Sequence, residues 1–496
     1  SPTMSLLFIM ITMLLLACTT LATAPSKPHL IFVMVDDWGW YNVGFRGNFN
    51  IKTPVIDSLV KNDALLLDRH YAFKYCSPTR RSFLSGRQPT HSGEDNSAAA
   101  TVDLRMKTIA DKLTSGGYSS HQAGKWHAGH DLVFQAPTGR GFNTSLGYFN
   151  GACDHYTQKD GEDGCGEVTD LWDSHKPGFG MNGTYGDYLY AGRAVDTIMQ
   201  HDQSTPLFFY LALQCAHDPM ESPQRFQDLY SPQTCPDVVE YSFSSVIDEA
   251  IGNVTAALKT KNMWENTLMV VSSDNGGPAF SDQHAASNFP LRGGKYTLFE
   301  GGLRVSAFVT GGVLPTTMRG KNITAPIHIC DWYATFSTLA GVDPADNHDG
   351  IPQIDAIDQW PVISGKTTTP PRTELFPASG VLIQNQWKLI DTGPGNAMWS
   401  GPLYPKVKAT GPKSIDCKPC LFDVVADPGE HNDVSGANPD IVKTMSARLT
   451  VLMATVFSAP TANVTKGAVC AATAMNGGFL TPSDWSPTTS LKHNLK

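Results

Sequence analysis

Three short runs of apolar residues stand out along the chain, and polar residues follow each of them closely. The runs are 29–35, 206–213 and 267–271. Because they are apolar at every position and not at alternate positions, they are typical of strands buried on both faces, as in a parallel sheet. Segments with helical spacing of apolar residues occur around them, at 55–67, 103–113, 185–200 and 241–261. The alternation of strands and helices predicts an α/β fold with a large, doubly wound, mostly parallel sheet.

The pattern changes near residue 370. A Thr- and Pro-rich stretch at 367–371 is typical of a linker, the alternating segment 381–390 predicts an antiparallel strand or hairpin, and 440–456 has helical spacing. We therefore expect a large domain at 25–371 and a smaller C-terminal α+β domain, an antiparallel sheet plus a helix, at 372–496.

The polar residues that follow the apolar runs are candidates for a ligand site. In open α/β sheets, ligands bind beyond the carboxyl ends of the strands. Residues far apart in sequence should therefore meet there, namely Asp36, Asp37, His217, Asp274 and Asn275. Any one of them alone is more often a solvated turn residue, and it is their number that favours a site. The Asp and Asn side chains offer hard oxygen ligands, which suit Ca²⁺ or Mg²⁺ better than zinc.

The composition excludes two classes of protein. The chain has 496 residues, of which 41% are hydrophobic and 17% charged, so it can bury a large core and is not disordered as a whole. Its formal charge is −9, and its basic residues form no run longer than a pair. No basic face is expected, and we predict no nucleic-acid partner.

The N-terminal segment 1–24 resembles a signal peptide. Residues 6–16 are apolar except for Thr12, and small residues follow up to Ala24. This run is too short to span a bilayer comfortably, and no later stretch approaches that length. The lack of a basic residue before the run, and Pro25 directly after Ala24, depart from the usual pattern. Five Asn-x-Ser/Thr triplets agree with secretion, at Asn143, Asn182, Asn253, Asn322 and Asn463.

Ten cysteines are present, which in a secreted protein predicts disulfides. Cys153 and Cys165 bracket an acidic, Gly-rich loop, and we expect them to form a local bridge. A second bridge is expected in the C-terminal region, between Cys420 and Cys470. The alternative there is that Cys417 and Cys420 form a redox or metal-binding pair.

The most specific segment of the chain is Cys76-Ser-Pro-Thr-Arg-Arg-Ser-Phe-Leu-Ser-Gly-Arg87. It resembles the signature of the sulfatase family, whose core is Cys-x-Pro-x-Arg followed by a Leu-Thr-Gly-Arg-like end. Cys76, Pro78 and Arg80 supply that core, and Thr79 stands where Ser is more usual. The resemblance implies that the formylglycine-generating enzyme of the endoplasmic reticulum oxidises Cys76 to Cα-formylglycine (3-oxoalanine) before the chain folds.

Further blocks resemble the same family and occur in the same order. They are 35–39, 124–127, 214–219, 273–277 and 290–302. Together with 420–428 they are most similar to arylsulfatase B and its close relatives, and the resemblance spans residues 29–435. The larger domain, 25–371, is therefore expected to be the catalytic sulfatase domain.

The resemblance implies a role for each candidate residue. The implied ligands of one Ca²⁺ ion are Asp36, Asp37, Cys76, Asp274 and Asn275. The implied catalytic residues are Cys76, Arg80, Lys125, His127, His217 and Lys295. Hydrated formylglycine at position 76 would attack sulfur, and Arg80 and the metal would favour its deprotonated form. The two lysines would neutralise the sulfate oxygens, His217 would assist the leaving alcohol, and His127 would take a proton from the second hydroxyl.

The residues around position 76 also favour an anion site. Ser77 and Pro78 suit the N-cap and the first position of a helix that runs through Leu84. Residue 76 would then lie at a helix N-terminus, where free N–H groups and the helix dipole favour an anion such as sulfate.

Two other functions remain as alternatives. One is a formylglycine-dependent hydrolase of phosphonate or phosphate esters. The other is a catalytically idle secreted glycoprotein with a matrix or carbohydrate-binding role. The expected location is the secretory pathway, with the lysosome or the extracellular space as the destination, and no membrane span is expected in the mature chain.

The resemblance implies a sulfated sugar or an aryl sulfate as substrate, such as N-acetylgalactosamine 4-sulfate at a chain end. Specificity should come from loops 128–185 and 278–294 and from the smaller domain. The loop at 150–180 is acidic, and its acidic residues are Asp154, Asp160, Glu162, Asp163, Glu167, Asp170 and Asp173. If they lie near the mouth of the site they would repel a long polyanion, which favours short or terminal sulfated sugars.

Overall fold

We describe the fold from a computed structural model, which covers residues 27–161, 164–280, 286–459 and 464–486. The predicted signal peptide at 1–24, the sequon at Asn463 and the acidic residues Glu162 and Asp163 lie outside the described residues. In the part of the chain that is described, no helix has both the length and the apolar character needed to cross a membrane.

The described residues form eighteen strands in four sheets. In chain order the strands are β1 (His29–Val35), β2 (Leu65–Leu67), β3 (His70–Tyr71), β4 (Ser119–Gly124), β5 (Thr144–Gly147), β6 (Lys159–Asp160), β7 (Val168–Thr169), β8 (Trp172–Asp173), β9 (Lys176–Pro177), β10 (Leu207–Ala212), β11 (Thr267–Ser273), β12 (Ala307–Thr310), β13 (Lys321–Ile323), β14 (Ile327–His328), β15 (Glu374–Ala378), β16 (Val381–Gln384), β17 (Trp387–Ile390) and β18 (Cys420–Asp423).

Helices connect most of these strands, and short 3₁₀ turns lie in the loops. The α-helices of the described residues are α1 (Pro54–Asn62), α2 (Cys76–Ser85), α3 (Pro89–Ser92), α4 (Ile109–Ser115), α5 (Gly186–Gln200), α6 (Gln224–Gln227), α7 (Val238–Thr260), α8 (Glu300–Leu303), α9 (Asp331–Leu339), α10 (Trp360–Ile363), α11 (Pro439–Met453) and α12 (Lys466–Met475).

The largest sheet has ten strands in the order β13-β2-β12-β11-β1-β10-β4-β5-β8-β9. Its central strands, from β11 to β5, run parallel to one another. Antiparallel pairs flank this block on both sides. The three apolar runs are the adjacent strands β11, β1 and β10, and the predicted α/β fold is confirmed.

The position of β1 in the fold explains why its sequence is apolar from Leu30 onward. Leu30, Phe32 and Met34 face a core that α2, α4 and α9 cover, while Ile31 and Val33 face a second core covered by α1, α5 and α7. All seven residues of β1 are buried. Since helices cover both faces of the sheet, its strand ends are the place where polar residues can meet a ligand.

Strands β15 to β18 form the smaller sheet, which is antiparallel throughout. The predicted hairpin at 381–390 is the pair β16 and β17. Helix α11 packs Met445 and Leu449 against one face of this sheet. The other face packs against Leu298, Phe299 and Leu303 of the large domain.

The C-terminal end of the chain returns to the large domain. Val469 of α12 and Leu480 belong to the core under the large sheet. The prediction assigned all of 372–496 to the smaller domain, whereas the residues from 464 onward contact the larger one. The apolar residues of the C-terminal segment do not by themselves indicate which of the two domains they pack against.

Both predicted disulfides are wrong. Cys165 pairs with Cys470, and Cys417 pairs with Cys420. Cys153 is a buried free thiol. It belongs to the core on one face of the large sheet, while Cys165 packs against the core on the other face. The two cysteines flank the same loop in the sequence, but the fold places them on opposite faces of the sheet.

Two of the predicted helices differ from the structure. The helix predicted at 55–67 ends at Asn62, and Leu65–Leu67 form β2. The apolar pattern runs through both elements, so periodicity alone did not show the break. The helix predicted at 103–113 begins only after Thr108, whose side chain forms a capping box with Asp111. The helices predicted at 185–200 and 241–261 are confirmed as α5 and α7.

Candidate active site

Four neighbouring strands bring polar residues to one edge of the large sheet. Strands β11, β1, β10 and β4 are adjacent and parallel, so their carboxyl ends lie side by side. The polar residues that follow these ends are Asp36, Asp37, Lys125, His127, His217, Asp274 and Asn275, and all are buried. The structure thus brings together the five residues that the strand pattern predicted would meet. It adds Lys125 and His127, which only the family resemblance had implied.

Asp36 lies between a thiol and two cations. Its Oδ2 is 2.6 Å from Lys125 Nζ and 3.4 Å from Arg80 Nη2. Its Oδ1 is 3.6 Å from Cys76 Sγ. Burial alone would raise the pKa of Asp36, but Lys125, His217 and Arg80 outweigh burial and hold the pKa well below its ordinary value. Asp36 is therefore an ionised carboxylate.

Asp274 and Asn275 extend this cluster from the end of β11. Arg80 donates from Nε and Nη2 to Asp274 Oδ2, at 3.1 and 2.8 Å. Burial and the charge of Asp36 raise the pKa of Asp274 to about 6. Asn275 Nδ2 donates to Asp37 Oδ1 at 2.6 Å. The Oδ1 atom of Asn275 is buried and has no hydrogen-bond partner among the described residues.

Lys295 reaches the same cluster from the loop that follows residue 286. Its Nζ lies 2.7 Å from Asp37 Oδ2 and 3.1 Å from His217 Nε2. Burial alone would lower the pKa of Lys295, and Asp37 and Cys76 raise it well above its ordinary value. Burial and the nearby lysines lower the pKa of His217, but the surrounding carboxylates outweigh them and raise it to about 10. The cluster thus holds fixed positive charge beside the two aspartates.

Cys76 is the first residue of α2 and is 2% exposed. The prediction that Ser77 caps this helix is wrong, because Tyr75 occupies the N-cap position. Pro78 is the third residue of the helix and not the first. The amide N–H of Ser77 donates to Asn96 Oδ1 at 3.0 Å. Sequence reasoning missed Asn96, which lies in a loop outside every recognised block.

His127 lies beside the same helix end, in a left-handed backbone conformation with φ of 48°. Its Nε2 is 3.3 Å from the backbone oxygen of Asn96, and its buried Nδ1 has no partner among the described residues. Burial, Lys125 and Arg80 hold the pKa of His127 well below its ordinary value. The imidazole is therefore neutral.

The residues of this edge fit a hard divalent cation. Asp36, Asp37, Cys76 and His217 each offer a ligand atom within 4.8 Å of the others. The unpartnered Oδ1 of Asn275 is an orphaned buried oxygen, as expected of a ligand atom. Most of these candidate ligand atoms are carboxylate or amide oxygens, which Ca²⁺ and Mg²⁺ prefer.

Two buried residues hold the loop that carries His217, and sequence reasoning missed both. Asp187 accepts hydrogen bonds from the amide N–H groups of Gln214 and Cys215, at 2.8 and 3.1 Å. His155 Nε2 lies 3.0 Å from the backbone oxygen of His217. Neither residue follows a strand end. The one signal for Asp187 was its acidic side chain in the first turn of a predicted helix.

A cleft of about 490 Å³ borders Asp218, the residue after His217. Its charged lining residues are Asp154, Lys159, Asp160, Glu167 and Asp218. Two residues that the sequence also placed near the mouth do not line this cleft. Asp170 accepts backbone N–H groups of Phe149 and Asn150, and Asp173 pairs with Arg193. The cleft beside the His217 loop is thus acidic, although Asp170 and Asp173 do not contribute to it.

Comparisons with known proteins point to one family. The family model for sulfatases matches residues 28–342. Arylsulfatase J of Mus musculus is 34% identical over 468 residues, covering 86% of this chain and 75% of its own. N-acetylgalactosamine-6-sulfatase of Mus musculus is 27% identical over 366 residues, covering 69% of this chain and 67% of its own.

A solved structure shows the same fold. The crystal structure of Ps i-CgsB matches with a TM-score of 0.74 and 24% identity, covering 91% of this chain and 98% of that chain. The sequence blocks suggested arylsulfatase B, whereas the arylsulfatase found at 34% identity is arylsulfatase J. The family model covers more than half of the chain, and the chain therefore belongs to the sulfatase family, the sulfuric ester hydrolases.

Proposed function

We propose that the protein hydrolyses sulfate esters of short or terminal sulfated sugars and of aryl alcohols, with oxidised Cys76 as nucleophile and Ca²⁺ as the bound ion. The observation that supports this best is the position of Cys76. Its buried Sγ lies 3.6 Å from Asp36 Oδ1, in the first turn of α2, and Lys125 contacts the other oxygen of Asp36. This cysteine begins the segment that resembles the sulfatase signature.

Oxidised and hydrated, residue 76 supplies one hydroxyl that attacks sulfur and a second hydroxyl whose deprotonation expels the sulfate. Arg80, Lys125 and Lys295 surround this position with fixed positive charge, which stabilises the sulfate oxygens as negative charge grows on them. Nearby carboxylates outweigh burial and raise the pKa of both lysines, so both remain charged. The amide groups at the start of α2 favour the same anion.

His127 is suited to act as the base. Its Nε2 can donate to the backbone oxygen of Asn96, which leaves the lone pair on the buried and unpartnered Nδ1. Its lowered pKa keeps it unprotonated in mildly acidic surroundings. His217 is suited to protonate the leaving alcohol, because its raised pKa makes it a proton donor and its Nδ1–H can donate to the backbone oxygen of Asp218 at 2.9 Å, which holds the ring in place.

We assign the Ca²⁺ ligands to Asp36, Asp37, Asp274, Asn275 and residue 76. When bound, the ion supplies positive charge that favours the ionised nucleophile and offsets the aspartates.

For the substrate we propose N-acetylgalactosamine 4-sulfate at the end of a chondroitin or dermatan sulfate chain. The support is the resemblance of the sequence blocks to arylsulfatase B. The acidic cleft at Asp154, Asp160, Glu167 and Asp218 would repel a long polyanion. A terminal sulfated sugar exposes less negative charge to this cleft than an internal one.

We further propose that the mature protein is a glycoprotein of the lysosome or the extracellular space. Four asparagines of the Asn-x-Ser/Thr triplets are exposed, so an oligosaccharide can be attached to them: Asn143, Asn182, Asn253 and Asn322. The two disulfides agree with an oxidising compartment.

The test is release of inorganic sulfate from four substrates at fixed ionic strength: an aryl sulfate, a 4-sulfated disaccharide, its 6-sulfated isomer and the intact polymer. We expect cleavage of the aryl sulfate and preference for the 4-sulfated disaccharide. Faster release from within the intact polymer would contradict the terminal preference, and preference for the 6-sulfate would contradict the position. An aryl phosphonate monoester in the same assay distinguishes the alternative hydrolase, since we expect it to turn over more slowly than the aryl sulfate.

A further inference from the structure

Tyr296 is an exposed aromatic residue next to the reaction centre. The residue is 58% exposed, and Lys295 Nζ lies 5.4 Å from the centroid of its ring. The same ammonium group contacts Asp37 and His217. Burial raises the pKa of Tyr296, and the charges of Lys295, Cys76 and Asp37 also act on its hydroxyl. The ring is therefore within electrostatic range of the reacting groups, while more than half of the residue is exposed to solvent.

The backbone of Tyr296 is strained. Its φ is 70°, a left-handed conformation that is rare for a bulky side chain. The amide N–H of Tyr296 donates to the backbone oxygen of Lys74 at 2.7 Å, which holds the strained loop against the segment before Cys76. Strain of this kind persists where the surroundings enforce it and is concentrated at functional sites.

A second ring supports the first. Tyr75 directly precedes Cys76, and its ring centroid lies 5.8 Å from that of Tyr296 at an interplanar angle of 45°. The hydroxyl of Tyr75 donates to the backbone oxygen of Glu94 at 3.0 Å, which fixes its ring. One ring is thus anchored, and the ring beside it belongs to an exposed residue next to Lys295.

We propose that the ring of Tyr296 is the face on which the six-membered ring of the substrate alcohol stacks, an inference that rests on the proposed function. A pyranose presents a face of C–H groups and an aryl alcohol presents a π face, and both pack well on an aromatic ring. The residue therefore selects ring alcohols over linear ones. Since the contact is the same before and during sulfate transfer, it lowers KM and leaves kcat nearly unchanged.

The test compares three substrates in the wild type and in Tyr296→Gly: a sulfated pyranose, an aryl sulfate and a linear alkyl sulfate. Glycine adopts the left-handed conformation without strain, so this variant removes the ring without harming the fold. We expect KM to rise about tenfold for both ring substrates and to change little for the alkyl sulfate. Tyr296→Phe keeps the ring and should behave like the wild type. Phe179→Ala is the matched control, because Phe179 is also 58% exposed but packs on Phe479 instead.

Two results would overturn the inference. One is an unchanged KM for both ring substrates in Tyr296→Gly, and the other is an equal rise for all three substrates, which would mean a general effect on sulfate binding. A rise for only one ring substrate identifies it as the ring that stacks. Calorimetric binding of the desulfated pyranose to both proteins decides the same point without turnover. A wild-type protein that binds the sugar through Tyr296 but releases no sulfate would contradict the proposed function alone.

Discussion

Lys125 Nζ and Asp36 Oδ2 lie 2.6 Å apart, and both side chains are fully buried. The two residues follow β4 and β1, so their ion pair spans the end of β10, which lies between those strands. The loop after β10 carries His217. This one pair therefore joins the three strand ends around which the candidate site is built, and it holds a cation next to Cys76.

Replacing Lys125 with Met should reduce both activity and stability. Removing one preorganised positive charge from the sulfate site should lower kcat/KM for an aryl sulfate by a factor on the order of 10²–10³. Leaving Asp36 buried with fewer partners should lower the free energy of unfolding by about 3 kcal/mol. Enzyme kinetics and denaturant unfolding measure the two effects. Lys61→Met, on the exposed end of α1, is the control and should change neither. Activity close to that of the wild type in a folded Lys125→Met protein would rule out the role of this lysine.

Asp274→Asn should abolish calcium binding and activity together. The substitution removes a carboxylate from the ion site but still offers Arg80 an oxygen in place of the one now 2.8 Å away, so the fold should survive. Metal content by elemental analysis and sulfate release should fall in parallel. Asp440→Asn, in the exposed first turn of α11, should affect neither. Full activity in a metal-free preparation of the wild type would show that the assigned ion is unnecessary.

A buried ionic cluster joins the smaller sheet to α8 of the large domain and should make stability depend on pH. Lys388 Nζ lies 3.0 Å from Glu300 Oε1 and 2.9 Å from Glu430 Oε1, so two carboxylates share one ammonium group. Burial and the charge of Glu300 outweigh Lys388 and raise the pKa of Glu430 from 4.5 to about 7. The folded state therefore holds a proton that the unfolded state releases, and stability from this group is lost as the pH rises from 4.5 toward about 7.

The Glu430→Gln variant tests this directly because glutamine does not titrate. Thermal unfolding at about pH 5 and about pH 8 should show that the variant gains stability relative to the wild type at the higher pH. Glu265→Gln, at an exposed position, should keep the pH dependence of the wild type. If Glu430→Gln and the wild type have the same pH dependence, then Glu430 does not hold the proton.

The strands and their polar ends could be predicted because a single local pattern encodes them. Strand β1 is apolar at each position after His29 since both its faces are covered, and the chain turns polar at Asp36, where the strand ends. In β11 the apolar run is 268–271, and Ser272, Ser273 and Asp274 follow it. Parallel strands place such ends along one edge, so local pattern was enough to predict that Asp36, His217 and Asp274 would meet. It did not predict Lys125 or Lys295, which were assigned from the family resemblance.

The remaining features depend on contacts between distant segments, and local pattern does not contain them. Cys165 bonds to a cysteine 305 residues away, which only the packing of α12 on the large domain explains. Asn96 satisfies the amide of Ser77 from a loop with no distinctive sequence. Asp187 holds the His217 loop through backbone N–H groups, which any sequence offers equally.

The chemical state of residue 76 tests the proposed mechanism most directly. Trypsin should release residues 75–80, because Lys74 and Arg80 provide the cleavage sites. We expect mass spectrometry of this peptide, from protein purified from its native source, to show the aldehyde form, in which the CH₂–SH group of Cys76 has become CHO. The aldehyde fraction should rise and fall with the specific activity of each preparation. A preparation that contains only unmodified cysteine at position 76 and still releases sulfate over many turnovers would contradict the mechanism.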